Sequence, residues 1–472
     1  MKAVAAVDLG ATSGRVMLGY VGHNELKLVP VSRFPNGPVS VGGALHWDVS
    51  ALFDHAVSGI AAAARQEPEL AGIGVDSWAV DYGLLTAGRL HGEPFHYRDE
   101  RTLNGVRLVT ENATAEELYE ANGLQHLPFN TLFQLTDDLA NGRLESADTF
   151  LLVPDLLNFW LTGKQFAERT NASTTGLLSP RTGEWDDELI TRLGLPRQLF
   201  PELISAGSPV GPILPGIAER IGVAGLEVSA VGSHDTASAV AAVPALTDDF
   251  AYISCGTWGL VGVELDAPII SEAGRLANFT NEGGLDGRVR YLHNVMGLWL
   301  LSESVRTWEA EGSVIELPAL LAAASAITTP VSIFDADDPR FMTPGDMPAR
   351  IAEWLRENGL AVPQSQAEFV RSIVESLADA FARAIEQAAA LSGKTVSVIH
   401  IVGGGSQNEL LCQLVADRTQ LPVQAGPVEA TAIGNVLVQA RAQGFVDGSL
   451  ESLRSVVSQA FPPREYLPRR QP

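Results

Sequence analysis

Short apolar runs broken by polar, glycine-rich turns alternate along the chain with longer stretches in which apolar residues recur at helical spacing. The short runs predict strands and the longer stretches predict amphipathic helices, of which the segment from Ala367 to Leu391 is the longest. Because strands and helices alternate in both halves of the chain, the sequence predicts an α/β protein.

Two predicted hairpins share one plan. An apolar strand from Ala3 leads into the polar turn Gly10 to Arg15 and then into a second apolar strand, and Ala251 to Val263 repeats this order around Ser254 to Gly259. Glycine hairpins are common in unrelated proteins, so the likeness alone is weak. The two hairpins head the two halves of the chain, however, and this favours a duplicated domain in which each half presents its turn to a shared cleft.

Other elements fill the two halves. The first half has a predicted strand-loop-strand unit over Gly72 to Thr86, and a short strand over Val228 to Val231 that leads into a helix of small residues from Ala237. In the second half, a strand over Val396 to Val402 ends in the triglycine Gly403 to Gly405. Both strand ends are therefore followed by polar or glycine-rich residues and then by a helix.

The length of the chain also predicts more than one domain. It has 472 residues, of which 46% are hydrophobic, and this is enough for two or three domains with large cores. Pro244 and the polar residues after it mark the predicted boundary. We expect one domain over residues 1–245 and a second over residues 246–472.

Composition narrows the possible partners and compartment. The chain carries 56 acidic and 32 basic residues, and its net charge of −24 repels phosphate backbones and anionic membranes. Its two cysteines, Cys255 and Cys412, are too few for a disulfide framework or a zinc cluster, so a reducing compartment fits best. The sequence shows neither a signal peptide nor an apolar stretch near the ~20 residues of a membrane span. We expect a cytoplasmic protein with small-molecule partners, without nucleic acid or membrane.

The first hairpin turn has the composition of a phosphate-binding loop. Its small residues and consecutive backbone N–H groups let a phosphate approach closely, and Thr12 and Ser13 add hydroxyl groups. Asp8 precedes the turn and is placed to hold Mg²⁺ through water, although a role in capping the turn stays equally open. The turn Gly256 to Gly259 offers similar groups to more distant phosphates. Gly403 to Gly405 would let adenine or ribose lie against the backbone.

Asp235 is the candidate catalytic base. Phosphoryl transfer to a sugar hydroxyl needs a carboxylate that orients the nucleophile and accepts its proton. Asp235 follows a predicted strand-to-helix switch, where α/β folds bind ligands, and lies between His234 and Thr236, which can hydrogen-bond a polyol. The alternative is that Asp235 only caps the helix from Ala237.

The loop Asp76 to Asp81 is the candidate sugar-binding loop. It joins two predicted strands and supplies the aromatic ring of Trp78 with a carboxylate on either side. Such a ring can stack on a sugar while the carboxylates bond to its hydroxyls. A buried structural tryptophan is the alternative interpretation.

Taken together, these segments resemble the FGGY carbohydrate kinases over nearly the whole chain. The resemblance is carried by four motifs: Asp8 to Arg15, Ser233 to Ala239, Ser254 to Gly259 and His400 to Asn408. Five further stretches are similar to the L-rhamnulose kinases of that family: Tyr97 to Thr102, Leu127 to Leu132, Asn281 to Gly284, Asn294 to Leu301 and Ala425 to Ala430. The Gln-Met-His-Gly loop of the xylulose kinases is absent where Ser77 to Val80 stand.

The resemblance implies two actin-like, ribonuclease-H-like ATPase domains flanking a nucleotide and sugar cleft, with Asp235 as the base. It implies that ATP is contacted by Ala11, Thr12, Ser13, Gly14, Arg15, Thr257 and Gly404. The sugar would be contacted by Ala79, His234, Asp235, Thr236 and Asn294. The implied reaction is the Mg²⁺-dependent transfer of phosphate from ATP to L-rhamnulose, which gives ADP and L-rhamnulose 1-phosphate.

Two positions depart from the pattern of the family, which commonly has glycine where Ala79 stands and glutamine where Ser302 stands. The methyl group of Ala79 could narrow the sugar pocket, and the shorter Ser302 could lose a nucleotide contact. Two alternatives stay open: a kinase for another ketose, such as L-fuculose or D-xylulose, and an actin-like or chaperone-like ATPase clamp that binds a protein. The expected assembly is a monomer or a homodimer.

Overall fold

Both predicted glycine hairpins form in the computed structural model, which describes residues 1–22 and 25–469. Their turns are shorter than predicted, because Ser13 to Arg15 already belong to the second strand of the first hairpin and only Gly256 and Thr257 separate the strands of the second hairpin. The strands are, in chain order, β1 (Lys2–Leu9), β2 (Ser13–Gly22), β3 (Glu25–Pro35), β4 (Val39–Val41), β5 (Ala44–His46), β6 (Leu70–Ser77), β7 (Tyr82–Thr86), β8 (Arg89–Leu90), β9 (Thr149–Leu152), β10 (Ala167–Glu168), β11 (Leu203–Ile204), β12 (Pro209–Pro212), β13 (Glu227–Ser229), β14 (Phe250–Cys255), β15 (Trp258–Leu265), β16 (Thr280–Gly283), β17 (Val289–Met296), β18 (Val398–Val402), β19 (Val423–Ala425) and β20 (Arg464–Tyr466).

The helices lie between these strands. They are α1 (Val49–Gln66), α2 (Thr102–Thr110), α3 (Ala115–Asn122), α4 (Thr131–Ala140), α5 (Val153–Thr162), α6 (Arg169–Ala172), α7 (Asp187–Arg192), α8 (Pro215–Ile221), α9 (Asp235–Ala241), α10 (Glu272–Leu276), α11 (Trp299–Ala310), α12 (Leu317–Ser325), α13 (Met347–Glu357), α14 (Gln366–Ser392), α15 (Glu409–Thr419), α16 (Ala430–Ala442) and α17 (Leu450–Ala460). Short 3₁₀ turns cover Arg197–Leu199, Leu285–Gly287, Pro339–Phe341 and Gly404–Gln407. Within the described part of the chain, no helix has the length and hydrophobicity needed to cross a membrane.

The chain folds as two units. The first comprises Met1–Leu246, Glu264–Tyr291 and Ala430–Ala460, and the second comprises Thr247–Val263, Leu292–Glu429 and the chain from Phe461. The first unit therefore takes in two segments from the second half of the sequence. The division into one domain over residues 1–245 and another over residues 246–472 stays a prediction.

The first unit is built on a sheet with the strand order β12-β13-β6-β1-β2-β3. Strand β1 pairs antiparallel with β2 and parallel with β6, and β6 pairs parallel with β13. Every residue of β1 after Lys2 is buried, as expected for the apolar run that predicted this strand. The carboxyl ends of β1, β6 and β13 consequently share one edge of the sheet.

The second unit repeats this arrangement. Strand β14 pairs antiparallel with β15 and parallel with β18, β18 pairs parallel with β19, and β19 pairs antiparallel with β20. Strands β2, β1, β6, β13 and β12 have the same order and directions in the first unit. Two similar hairpins therefore do head two similar sheets, which is the arrangement that the sequence predicted.

Helix α16 belongs to the first unit because its buried face covers the sheet and α9. A Cβ at Gly434 would lie 1.8 Å from the carbonyl oxygen of Ser238, so only glycine allows these two helices to approach so closely. Val436 packs against Gly19 of β2, and the amide of Gln439 donates to the carbonyl of Ala5 at 3.0 Å. The helix thereby covers the strands that carry the candidate site.

Candidate active site

The carboxyl ends of β1 and β6 each carry a buried aspartate. Asp8 and Asp76 are register partners on these parallel strands, with exposed fractions of 3% and 0%. Ser77 then pairs with His234 in a parallel bridge, directly before Asp235. The structure thus brings Asp8, the loop after Asp76 and the His234 segment to one edge of the sheet, where α/β folds bind ligands.

The turn between β1 and β2 is held by hydrogen bonds. The Gly10 N–H donates to the carbonyl of Ser13 at 3.0 Å, and the Asn36 amide donates to the carbonyl of Gly10 at 2.8 Å. Across the hairpin, Nε of Arg15 donates to Oδ2 of Asp8 at 2.8 Å. Asp8 pairs with a cation on the next strand, so the structure gives no support to the alternative that it caps the turn.

Three carboxylates share this edge of the sheet and repel one another. Burial raises the pKa of Asp76 well above its ordinary value, and the negative charges of Asp8 and Asp235 raise it further. Nδ2 of Asn435 donates to Oδ2 of Asp76 at 2.5 Å and opposes this rise. An adjacent divalent cation would relieve the repulsion, because an opposite charge favours the ionised form of a carboxylate.

The donor set around Asp8 fits a magnesium ion. Mg²⁺ is bound in proteins by one or two carboxylates together with water and substrate phosphates, and not by a full cage of side chains. Asp8, Asp76 and Asp235 offer only oxygen atoms, which suits this hard cation. Across residues 1–22 and 25–469, no three His, Cys, Asp or Glu side chains converge as a ready-made metal cluster.

Asp235 is the first residue of α9, which begins two residues earlier than predicted. His234 is the N-cap residue, so the alternative that Asp235 caps the helix is wrong. The Asp235 side chain is 30% exposed, and Oδ1 accepts a hydrogen bond from the Thr236 hydroxyl at 3.1 Å. Burial raises the pKa of Asp235, and the negative charge of Asp8 adds to this rise. Its carboxylate is therefore available to a ligand, with an affinity for protons above that of an ordinary aspartate.

A buried glutamate that sequence reasoning missed holds the segment before Asp235. Oε2 of Glu168 accepts hydrogen bonds from the backbone N–H and the hydroxyl of Ser233, both at 3.0 Å, and from the backbone N–H of Thr170, also at 3.0 Å. The Thr170 hydroxyl in turn accepts from the backbone N–H of His234 at 3.3 Å. Glu168 is 0% exposed, so these charge-assisted bonds fix the strand end rather than bind a ligand.

Trp78 is a buried structural residue, so the interpretation of its ring as a sugar-stacking plate is wrong. It is 5% exposed, and its ring lies 4.1 Å from that of Trp47 between centroids. The indole N–H groups of Trp78 and Trp47 donate to Oδ2 of Asp81 at 3.1 and 2.5 Å, and the Gln134 amide donates to Oδ1 at 2.9 Å. Burial raises the pKa of Asp81 to about 6. The sequence did not reveal that both the ring and this carboxylate face inward.

The half-buried Ala79 directly precedes a residue with an unusual backbone conformation. Val80 has a φ of 67°, in the left-handed region that a β-branched residue rarely adopts. Its carbonyl accepts a hydrogen bond from the Thr131 hydroxyl at 2.7 Å. Such strain persists only where the surroundings enforce it, and it is frequent at ligand-binding sites.

The remaining predicted residues, Thr257, Gly404 and Asn294, belong to the second unit. Thr257 lies in the turn between β14 and β15, where its carbonyl accepts the Trp299 N–H at the start of α11 at 3.1 Å. Gly404 follows β18, the parallel neighbour of β14, so both residues lie at one edge of the second sheet. Asn294 is in β17.

The triglycine packs closely against the end of β14. A Cβ at Gly405 would lie 2.2 Å from Sγ of Cys255, whereas a Cβ at Gly404 would meet no atom within 4 Å. Gly403 has a φ of 81°, in the region that favours glycine. Gly403 and Gly405 therefore have structural reasons to be glycine, and Gly404 leaves open space next to its backbone.

Two family profiles match this chain. The N-terminal domain of the FGGY family of carbohydrate kinases matches residues 3–242, and the C-terminal domain of that family matches residues 251–443. The chain is 40% identical over 466 residues to the rhamnulokinase of Bacteroides thetaiotaomicron, which covers 98% of this chain and 95% of that protein. It is also 38% identical over 465 residues to the rhamnulokinase of Enterococcus faecalis, which covers 98% of this chain and 93% of that protein.

Solved structures share the fold at lower identity. The ligand-bound xylulose kinase from Lactobacillus acidophilus superposes with a TM-score of 0.79 at 18% identity, over 99% of this chain and 94% of that chain. The Plasmodium falciparum glycerol kinase with ADP gives a TM-score of 0.79 at 14% identity, with the same coverage of 99% and 94%. These likenesses establish the two-domain α/β fold.

Proposed function

Because the chain belongs to the FGGY family of carbohydrate kinases, we propose that it phosphorylates L-rhamnulose with ATP in L-rhamnose catabolism and forms ADP and L-rhamnulose 1-phosphate. One observation carries the choice of sugar: relatives at about 40% identity along nearly the full chain are rhamnulokinases. The fold alone does not carry it, since structures with the same fold act on xylulose or glycerol.

Asp235 is proposed as the catalytic base. Its partly exposed carboxylate would orient the O1 hydroxyl of the sugar and accept its proton as the bond from O1 to the γ-phosphorus forms. The bond from the γ-phosphorus to the oxygen of ADP breaks in the same transfer. The raised pKa of Asp235 supports this role, because a base holds a proton better as its pKa rises.

The sugar contacts are proposed at Ala79, His234, Asp235, Thr236 and Asn294. His234 and Thr236 flank the base in sequence, and Ala79 lies in the loop after β6, whose last residue, Ser77, pairs with His234. Discrimination between ketoses would depend on the shape of this pocket, since one methyl contact is worth only about 1–3 kcal/mol.

The ATP contacts are proposed at Ala11, Thr12, Ser13, Gly14, Arg15, Thr257 and Gly404. The open space at Gly404 supports a role in contacting the nucleoside, and the small residues after Asp8 support a role in contacting phosphate. Asp8 is proposed to hold Mg²⁺. When bound, this ion would neutralise charge on the transferring phosphoryl group.

The cellular setting is proposed from composition. Cys255 and Cys412 are both free and buried, which fits a reducing cytoplasm. The partners would be the sugar and ATP, with the enzyme acting as a monomer or a homodimer.

The test is a ketose panel. ADP release with Mg²⁺-ATP is measured for L-rhamnulose, L-fuculose, D-xylulose and L-ribulose, with a reaction without sugar as the control. We expect the highest kcat/KM for L-rhamnulose, and ³¹P NMR of the product should show phosphate on O1. A higher kcat/KM for another ketose would refute the choice of sugar. Turnover that no sugar stimulates would refute the kinase function and favour the ATPase clamp.

A further inference from the structure

Arg290 is a fully buried arginine beside the candidate base. Its side chain is 0% exposed, and Nε donates to the carbonyl of Gly283 at 2.9 Å. Nη1 lies 3.2 Å from the carboxylate of Glu282, and Nη2 lies 3.0 Å from Nδ1 of His234. Burying a charged group is costly unless it is paired, so three separate contacts from one guanidinium indicate a built arrangement.

The contact with His234 determines where the imidazole carries its proton. A guanidinium keeps its charge in proteins and has only donors, so a ring nitrogen at 3.0 Å from Nη2 must act as the acceptor. Nδ1 of His234 therefore carries no proton, and the proton of the neutral ring lies on Nε2. The histidine is left with one acceptor that faces Arg290 and one donor that faces away from it.

A competing contact exists at the same nitrogen. Oε2 of Glu282 lies 3.4 Å from Nδ1 of His234 and would accept a proton from it. The distance from Nδ1 to Arg290 is shorter by 0.4 Å than the distance to Glu282. A proton on Nδ1 would also point at the guanidinium of Arg290, which is a cation with no acceptor atom. Nη1 of Arg290 lies 3.2 Å from the same Oε2 of Glu282 and gives Glu282 a counter-charge that does not depend on the histidine.

The donor on Nε2 faces the base. Nε2 of His234 lies 3.5 Å from Oδ1 of Asp235, and the His234 side chain is only 7% exposed. An N–H group at this position can steady the carboxylate and can donate to a sugar oxygen beside it. The opposite tautomer would offer an acceptor there, which would repel the carboxylate.

We propose that Arg290 is a positioning residue that fixes His234 as the Nε2–H tautomer, so that the ring presents a donor to Asp235 and to the bound sugar. This inference rests on the proposed sugar kinase function. Arg290 itself acts only through the imidazole, and the alternative is that it merely stabilises the fold around Glu282.

The first test reads the tautomer directly. The full-length protein is labelled with ¹⁵N in its nine histidine rings. Long-range ¹⁵N–¹H correlation spectra then show which ring nitrogen carries the proton, and the Asp235-adjacent ring is assigned with His234→Gln. We expect a protonated Nε2 and an unprotonated Nδ1 in the wild type. A proton on Nδ1 would overturn the proposal, whatever the enzyme does with ketoses.

The second test is a double-mutant cycle on activity. Arg290→Met is combined with Glu282→Gln, so that no unpaired carboxylate remains buried. We expect this pair of changes to lower kcat/KM for the sugar by about 10- to 100-fold, the usual cost of losing a residue that orients a liganding side chain. The KM for ATP should stay unchanged.

The background of His234→Gln separates positioning from a structural role, because a glutamine amide needs no tautomer. In that background, the same pair of changes should cost no more than about twofold, within the error of additivity. An equal loss in both backgrounds would show that Arg290 supports the fold and would overturn the proposal. If the wild type phosphorylates no ketose, the proposed function fails, while the NMR spectrum still decides the tautomer.

Discussion

Removing the carboxylate of Glu264 is expected to loosen α17 from the first unit. Nη1 and Nη2 of Arg454, in the middle of this helix, contact the two carboxylate oxygens of Glu264 at 2.8 and 3.0 Å. The two side chains are 1% and 4% exposed, and Nη2 also donates to the carbonyl of Val240 at 2.9 Å. Glu264→Gln would leave a buried guanidinium without its counter-charge.

The expected magnitude follows from this burial. Breaking a buried, two-pronged ion pair by removing one partner costs about 3–5 kcal/mol, whereas exposed pairs contribute about 0–1 kcal/mol. If α17 opens locally, its amide hydrogen exchange should accelerate by about 10²- to 4 × 10³-fold, since each 1.4 kcal/mol is a factor of ten. Replacing both partners by methionine should recover most of the loss.

Hydrogen exchange of peptides that cover Leu450–Ala460, followed by mass spectrometry, measures this effect. Asp187→Asn is the matched control in the same unit, because Asp187 pairs with Arg197 at 2.5 Å while the two side chains are 71% and 53% exposed. Exchange in α17 should be unchanged in the control. An acceleration of less than about threefold in Glu264→Gln would refute the argument that burial makes this pair indispensable.

The same pair predicts a pH dependence. Burial by itself would raise the pKa of Glu264, but Arg454 and then Arg288 outweigh burial and hold the pKa below its usual value. A carboxyl with a lowered pKa in the folded state adds stability above the unfolded pKa of about 4.3, and this stability is lost as pH falls through the folded pKa. Protection of α17, corrected for intrinsic exchange, should therefore fall on acidification below about pH 4.3 in the wild type and change less in Glu264→Gln.

Three further predictions concern the proposed site. Gly405→Ala should destabilise the second unit by about 1–3 kcal/mol in a thermal melt, because its methyl group would overlap Sγ of Cys255. Gly404→Ala should melt like the wild type, because its methyl group meets no atom, and should raise only the KM for ATP. A Gly404→Ala variant with unchanged KM for ATP would contradict the proposed nucleotide contact. Ala79→Gly should change the kcat/KM ratio between L-rhamnulose and L-fuculose by about 5- to 150-fold, and an unchanged ratio would place Ala79 outside the sugar pocket. Asp8→Asn should raise the Mg²⁺ concentration needed for half-maximal activity, and an unchanged magnesium titration would exclude Asp8 as a ligand.

The regular elements were predictable because local patterns determine them. The buried run before Gly10 predicted β1, and the long helical pattern predicted α14 to within a residue at each end. The start of α9 was predicted two residues too late, because the polar residues Asp235 and Thr236 gave no apolar signal. Asp235 was still placed correctly at a strand-to-helix switch, since the short strand and the small-residue helix were both visible.

Contacts between distant parts of the chain were not predictable. Glu168 reaches Ser233 across 65 positions, and Arg290 reaches His234 across 56. Glu168 begins a largely polar run that extends to Thr175, and Arg290 follows a glycine-rich segment at 283–287, but neither local pattern indicates which distant residue the side chain contacts. The burial of Trp78 likewise depends on its packing against the ring of Trp47, which is set by tertiary structure.

Asp235→Asn tests the central claim most directly. ADP release is measured with saturating L-rhamnulose and Mg²⁺-ATP, alongside ATP binding by calorimetry and the Asp187→Asn control. We predict that kcat falls by about 10²- to 10⁴-fold, the contribution of a general base, while ATP binding and the control stay at wild-type values. A variant that keeps wild-type kcat would contradict the account, because Asp235 would then not be the base.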